Sequence, residues 1–362
     1  MKRLSLLDYS RLVAAFAVLC YHYFHNGLLN GKLTGIAATP VLEGMARYGY
    51  LGVELFFMIS GYVIFFSARG KRAGDFLAAR ALRLYPAFWG GVVLTSLFAV
   101  FLGGVGMAVS APQVLANLTM FPQWFGYQFV DGVYWTLQYE WAFYAAVFGV
   151  LLVGAQRHLE TLLRLWPLWL LLTRVTDHTA LPYADGYYAF FAAGALFAMG
   201  TGEHPWWHGV MLGLCAVLCV SFSLDHAAGM SLAKGIAYSP AVVSVLVGMF
   251  FVLFIVLGTP WGESVDLPGA RWAGAITYPL YLVHAHIGYM VLSHLGARGW
   301  HAAAYVATFA LVLALAWLLH RVIETRGAQL WRTVFAATLG RAGNSAQEFF
   351  AMGLKRLKTM ER

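Results

Sequence analysis

Ten stretches of the chain are apolar enough to be read as membrane-crossing helices: near 6–25, 48–68, 85–108, 133–154, 163–176, 184–201, 208–225, 240–259, 273–295 and 302–320. A bilayer core is filled by about 20 residues of helix, so the fifth is short for the task. Trp and Tyr crowd the ends of these stretches, as interfacial side chains do. Polar residues inside them are few. Asp8 and Arg11 interrupt the start of the first and His22 and His25 close it; Glu54 and Ser60 lie in the second, Glu140 in the fourth, and Tyr281, His284 and His286 in the ninth. The pattern predicts an all-α protein, a polytopic membrane helical bundle of about ten transmembrane helices.

Composition agrees, with 60% hydrophobic residues, 11% charged and a mean hydropathy of +0.68. A soluble domain is excluded. The net charge of +8 argues for topology and not for nucleic acid. With both termini cytoplasmic, eleven Lys and Arg between Lys2 and Arg271 fall on the inner side with eight more from Arg321 onward, against Lys32, Arg47, Arg174, Lys234 and Arg298 outside. That asymmetry follows the positive-inside rule. Cys20, Cys215 and Cys219 sit in apolar segments and read as free thiols. The first stretch is longer than a signal-peptide core and carries charge, so it is expected to be retained. Two parts are expected: a membrane domain over 1–324, and a basic amphipathic cytoplasmic tail over 325–362 resting on anionic lipid.

Eleven positions separate Arg11 from His22. On a helix that is roughly 20° past three turns and about 16 Å of rise, so both lie near one line at different depths. An arginine in an apolar segment needs an interior partner and is by default a functional-site hypothesis. Asp8, Glu54, Glu140 and His284 are the available partners. Ser60-Gly61 reads as small-residue packing or as part of a site. Arg80 and Arg83 are three apart and share a helix face, close behind Arg72. Guanidinium groups bind phosphate bidentately; an ordinary inner loop also accounts for basic residues here. Tyr134, Trp135, Gln138 and Tyr144 surround Glu140 at one- and two-turn spacings, and the aromatic loop over 110–132 suits either sugar stacking or an interfacial belt. Segments five to eight carry few charges and read as packing wall. Glu203, His204 and His208 make only a weak metal motif, and no metal is expected.

The stretches LLDYSRLVAAFAVLCYH, YGYLGVELFFMISGYVI, FLAARALRLYPAFW, VYWTLQYEWAFY and TYPLYLVH, in this order, resemble the acyltransferase-3 family of bacterial multipass membrane acyltransferases that modify glycans. The resemblance covers about the first 145 residues and a piece near the C-terminus. It departs from the family where Glu324 is followed by Thr325-Arg326-Gly327 and no proline, and the chain is expected to be a stand-alone membrane domain. The resemblance implies O-acyl transfer, usually acetyl from cytoplasmic acetyl-CoA, to a hydroxyl of a surface or exported carbohydrate in the bacterial inner membrane, with no permanently bound cofactor. Arg72, Arg80 and Arg83 would then hold the CoA phosphates. His22 would be the general base, aided by Glu140 and Arg11, or would carry the acyl group covalently. Asp8, Glu54, Ser60, Tyr134, Trp135, Tyr281 and His284 would support these or the substrate. A transporter with buried Arg, Glu and His is the competing class; it has no use for the Arg80/Arg83 face.

Overall fold

A computed structural model describes residues 3–200, 205–299 and 301–360, with side chains up to Gly353 and none for Pro205. Glu203 and His204 lie outside the described residues. Every regular element among the described residues is helical, the longer ones being α1 (Ser5–Tyr21), α2 (Gly52–Ala68), α3 (Ala73–Leu102), α4 (Trp135–Leu152), α5 (Leu159–Val175), α6 (Tyr187–Met199), α7 (Pro205–Lys234), α8 (Pro240–Leu257), α9 (Ala270–Val283), α10 (Ala285–Gly296), α11 (His301–Leu319), α12 (Ala328–Phe335) and α13 (Arg341–Met360), with shorter helical pieces, turns and loops between them.

All ten apolar stretches are helical, but six helices are long and apolar enough to cross a membrane: Ser5–Leu29, Pro40–Ala68, Ala73–Leu102, Trp206–Lys234, Pro240–Leu257 and His301–Arg326. The other four fall short for identifiable reasons. The first turns of α4, Trp-Thr-Leu-Gln-Tyr-Glu, are too polar; α5 stops after 17 residues and α6 after 13. The ninth stretch is broken at His284 into α9 and α10. Around that break, side chains take up backbone groups of the helix: Tyr134 Oη donates to Leu282 O (3.1 Å), and His286 N, four residues on, donates to Asp131 Oδ2 (2.8 Å) instead; Tyr23 Oη adds to His284 O (2.7 Å), which also accepts from Gly288 N (3.1 Å), and His284 Nδ1 lies 2.7 Å from Tyr281 O. Pro279 sits one turn earlier and cannot donate.

At the centre, α1 packs against α2 and α9, and α2 against α6. The α2–α6 seam is close because Gly61 and Gly194 face the backbones of Phe191 and Met58, where no Cβ would fit. Gly61 is therefore a packing residue, while its neighbour Ser60 reaches a site. The packing wall is also more central than its composition suggests: residues from Tyr188 to Leu196 of α6 are buried throughout.

Helix α3 starts twelve residues before the expected third span, so Arg80, Arg83 and the apolar run belong to one 30-residue helix, about 45 Å long, with Pro86 inside it. Its first turn, with Ala73, Gly74 and Phe76 buried, is met by α13. Asn344 Oδ1 accepts from Gly74 N and Gln347 Oε1 from Ala73 N, both at 3.0 Å, while Gln347 Nε2 donates to Leu151 O at the end of α4. The described part of the tail is thus docked on the bundle by one face, with Phe349 and Met352 exposed on its outer side.

Candidate active site

Two cavities lie between the central helices. The first is lined by Arg11 of α1, Ser60 of α2, Arg80 and Arg83 of α3, Glu140 and Tyr144 of α4, and Tyr278 of α9. Asp8 bridges two arginines, 2.6 Å from Arg3 and 3.6 Å from Arg11. Glu140 accepts from Ser60 Oγ (3.1 Å) and from Tyr144 Oη. The Arg80 and Arg83 guanidiniums sit 5.8 and 5.2 Å from the Tyr144 and Tyr278 ring centres. Arg83 is 3.6 Å from Glu324, which also takes His320 at 2.8 Å. Arg80 has no carboxylate partner among the described residues, and its buried Nε bonds to nothing.

The second cavity is lined by His22, Asn26, Lys32, Glu54, Trp135, Tyr187, His226, His286 and Tyr289, among others. After α1 the chain takes a π-helical turn, His22–Asn26. Such turns are rare and recur at functional sites. Here the turn sets Asn26 beside the His22 ring. Lys234 Nζ, which can only donate, sits 2.9 Å from both Tyr21 Oη and Asn26 Oδ1. That engages the amide oxygen and turns Asn26 Nδ2 to Tyr289 Oη at 3.3 Å. Tyr289 Oη in turn lies 2.5 Å from His22 Nδ1. When Nδ1 donates to Tyr289, Nε2 is left as an open lone pair on a ring that lines the cavity, which a general base requires. His284 packs edge-on, its ring 5.1 Å from that of His22, with its own Nε2 buried and unpartnered.

Across the cavity, Lys32 Nζ is 2.8 Å from His286 Nε2. Asp131 accepts from His286 N (2.8 Å) and Val133 N (3.2 Å), so this buried carboxylate joins the α4 approach to the first turn of α10. Burial lowers the Lys32 ammonium from its ordinary value, and Asp131 acts in the opposite direction. Val53 and Tyr281 line both cavities, so the two adjoin there.

Residues 4–321 match the family model described as an acyltransferase domain. The chain belongs to this acyltransferase family. Its relatives include the O-acetyl transferase of Shigella phage Sf6, 38% identical over 29% of this chain and 28% of the phage protein. The exopolysaccharide production protein ExoZ of Rhizobium meliloti (strain 1021) is 26% identical over 81% of this chain and 95% of its own. Nodulation protein 10 of Rhizobium leguminosarum bv. viciae is 24% identical over 92% and 96%. No solved structure shows significant similarity. With its apolar helices, this acyltransferase is a multi-pass membrane protein.

The expected site residues of the acyltransferase divide between the two cavities. Arg11, Ser60, Glu140, Arg80 and Arg83 line the first; His22, Glu54 and Trp135 the second; Tyr281 both. Three helical turns of α1 thus place Arg11 and His22 in different chambers. Glu140, expected beside the imidazole, instead holds Ser60 and Tyr144, and the His22 ring is oriented by Tyr289 and Asn26. Arg72 precedes the first turn of α3, exposed and 2.6 Å from Glu348, and does not line the chamber of Arg80 and Arg83. Tyr134 is fully buried and holds the α9–α10 break. Asp8 sits behind Arg11.

Sequence reasoning missed Asn26, Lys32, Tyr50, Tyr187, His226 and Tyr289. Two of them come from the supposed wall, α6 and α7. A usable signal existed for Asn26, one turn beyond His22. Tyr144, at the same spacing from Glu140, was already visible by that rule.

Proposed function

We propose that this acyltransferase moves an acyl group, normally acetyl, from cytoplasmic acyl-CoA to a hydroxyl of an exported or surface carbohydrate in the bacterial inner membrane. The observation that carries the reading is that a guanidinium-lined chamber and one lined by His22 adjoin at Val53 and Tyr281; in this reading they join there, through a neck between the two side chains. The names of the relatives support acetyl and polysaccharide. In this reading Arg80, free of a carboxylate, and Arg83 take CoA phosphates, and the thioester reaches the neck. Arg11 polarises the thioester carbonyl from the first chamber. His22 Nε2 takes the proton of the acceptor hydroxyl as its oxygen attacks the carbonyl carbon. The C–S bond breaks, and the thiolate leaves with the proton returned from His22. Acyl-CoA and alcohol thus become ester and free CoA.

The test uses purified protein in detergent or lipid discs with acetyl-CoA. His22→Ala is expected to lose transfer by a factor of about 100 or more while still binding acetyl-CoA, within the range for removal of a general base. Arg80→Ala is expected to raise the acetyl-CoA dissociation constant about tenfold or more, the scale of a lost charge-assisted bond. Full transfer by His22→Ala would sink the reading. The sidedness of the two chambers is tested separately: in intact cells an impermeant thiol reagent should label Asn30→Cys and spare Asp75→Cys.

A further inference from the structure

The second cavity holds a group the chemistry above does not use. Glu54 is 1% exposed, and neither carboxylate oxygen has a hydrogen-bond partner. His226 Nδ1 lies 3.7 Å from its Oε1. Beside it Tyr50 Oη is also buried and unpartnered. Trp135 and Tyr187 stand on the same cavity wall with ring centres 5.2 Å apart. Buried polar groups are normally hydrogen-bonded, and a buried carboxylate without donors is costly. Glu54 and Tyr50 therefore form a set of unpartnered polar groups, an acceptor carboxylate and a hydroxyl that also donates, beside a tilted aromatic pair in the chamber of His22.

We propose that this set is the acceptor's ring-binding subsite: Glu54 takes hydrogen bonds from two neighbouring hydroxyls of a neutral sugar whose C–H face rests on Trp135 and Tyr187, with Tyr50 Oη holding a further oxygen. The proposal rests on the acyltransfer reading. Neutrality follows from the charges around the ligand. An ammonium would suit Glu54 but would meet Lys32 and, when protonated, His22, His226 and His286. A carboxylate or phosphate would suit those bases but would meet Glu54. A polyol satisfies both sides, because each hydroxyl donates and accepts. A carboxylate accepting from two adjacent hydroxyls also fixes the rotation of the ring, and so selects which remaining hydroxyl reaches His22.

The experiment measures thiol release from acetyl-CoA by the full-length protein in lipid discs. Acceptors are the methyl glycosides of neutral hexoses, with cyclohexanol as a ring bearing one hydroxyl. A methyl glycoside is expected to stimulate release and cyclohexanol is not. Glu54→Gln and the isosteric Tyr50→Phe should each raise the glycoside KM, by about tenfold or more for Glu54→Gln, while the acetyl-CoA KM stays put. Unchanged glycoside KM in both variants overturns the subsite, as does equal stimulation by cyclohexanol or none by any glycoside. Tyr50→Phe keeps the test open should Glu54→Gln fail to fold. Loss of the subsite with His22 still essential leaves the acyltransfer reading standing; activity without His22 removes both.

Discussion

Tyr289 decides which nitrogen of His22 is free. Its hydroxyl faces Nδ1 at 2.5 Å and is itself addressed by Asn26, whose amide is turned by Lys234. A ring so held has one orientation, which places Nε2 for chemistry. Tyr289→Phe removes that hydroxyl and nothing else, and should lower kcat by about fivefold or more, the scale of roughly 1 kcal/mol for one hydrogen bond. The acetyl-CoA KM should not move, since Tyr289 lines only the His22 chamber. Steady-state kinetics at saturating acceptor provide the check, and a shift in acetyl-CoA KM alone would argue against this role. The relay also explains what could be read in advance. Arg11, Glu54 and Glu140 stand out because charge in an apolar segment is expensive. Asn26 was reachable by its spacing from His22, but tyrosine is too common in these segments to single out Tyr289. Their partnership spans more than 260 residues, a distance no local pattern encodes.

Among the elements, α3 and the α9–α10 pair hold the two chambers in shape. The first turn of α3 has amides with no partner inside the helix, and its preceding residue, Arg72, supplies no side-chain cap. Asn344 and Gln347 of α13 supply it from the far end of the chain. The double variant Asn344→Ala with Gln347→Ala should destabilise the turn by about 1 kcal/mol per lost cap, lowering the melting temperature. It should also raise the acetyl-CoA KM through Arg80 and Arg83, two turns along the same helix. Thermal melting in detergent with acetyl-CoA titration checks both, and an unaltered melt would show the docked tail to be dispensable. Hydropathy located the ten helical stretches because apolar length is a local property. Six of them meet the length and hydropathy of a span; a local pattern does not show the break at His284, where Tyr134 takes Leu282 O and Asp131 takes His286 N from other segments. Hydropathy also took the short, fully packed α6 for a wall, since burial in protein and burial in lipid require the same apolar residues.

For the molecule as a whole, the arrangement poses one question of connection. Arg11 and His22 share one line of α1 yet lie in separate chambers, and the groups that could handle CoA phosphate and acceptor hydroxyl divide the same way. Either chamber alone resembles the polar interior of a transporter; a transferase needs the reacting atoms of both substrates to meet. Val53 and Tyr281 are where they can. Tyr281 is held by hydrogen bonds to Thr136 Oγ1 (2.8 Å) and Val133 O (3.0 Å), so one side of the neck is fixed. Val53 has no polar partner to lose, and a change there alters only the bore. Val53→Trp should fill the neck, leaving acetyl-CoA affinity nearly intact and cutting transfer by about 100-fold, the scale at which misplacing reactants by an ångström acts. Val53→Ala, which widens it, should keep transfer within a few-fold of the parent, a range set by a small packing loss. Binding is read by calorimetry and transfer by thiol release, with size-exclusion profiles confirming that both variants remain folded. If Val53→Trp binds and transfers like the parent, the acyl group does not pass between Val53 and Tyr281. The reacting groups would then meet elsewhere along the two chambers.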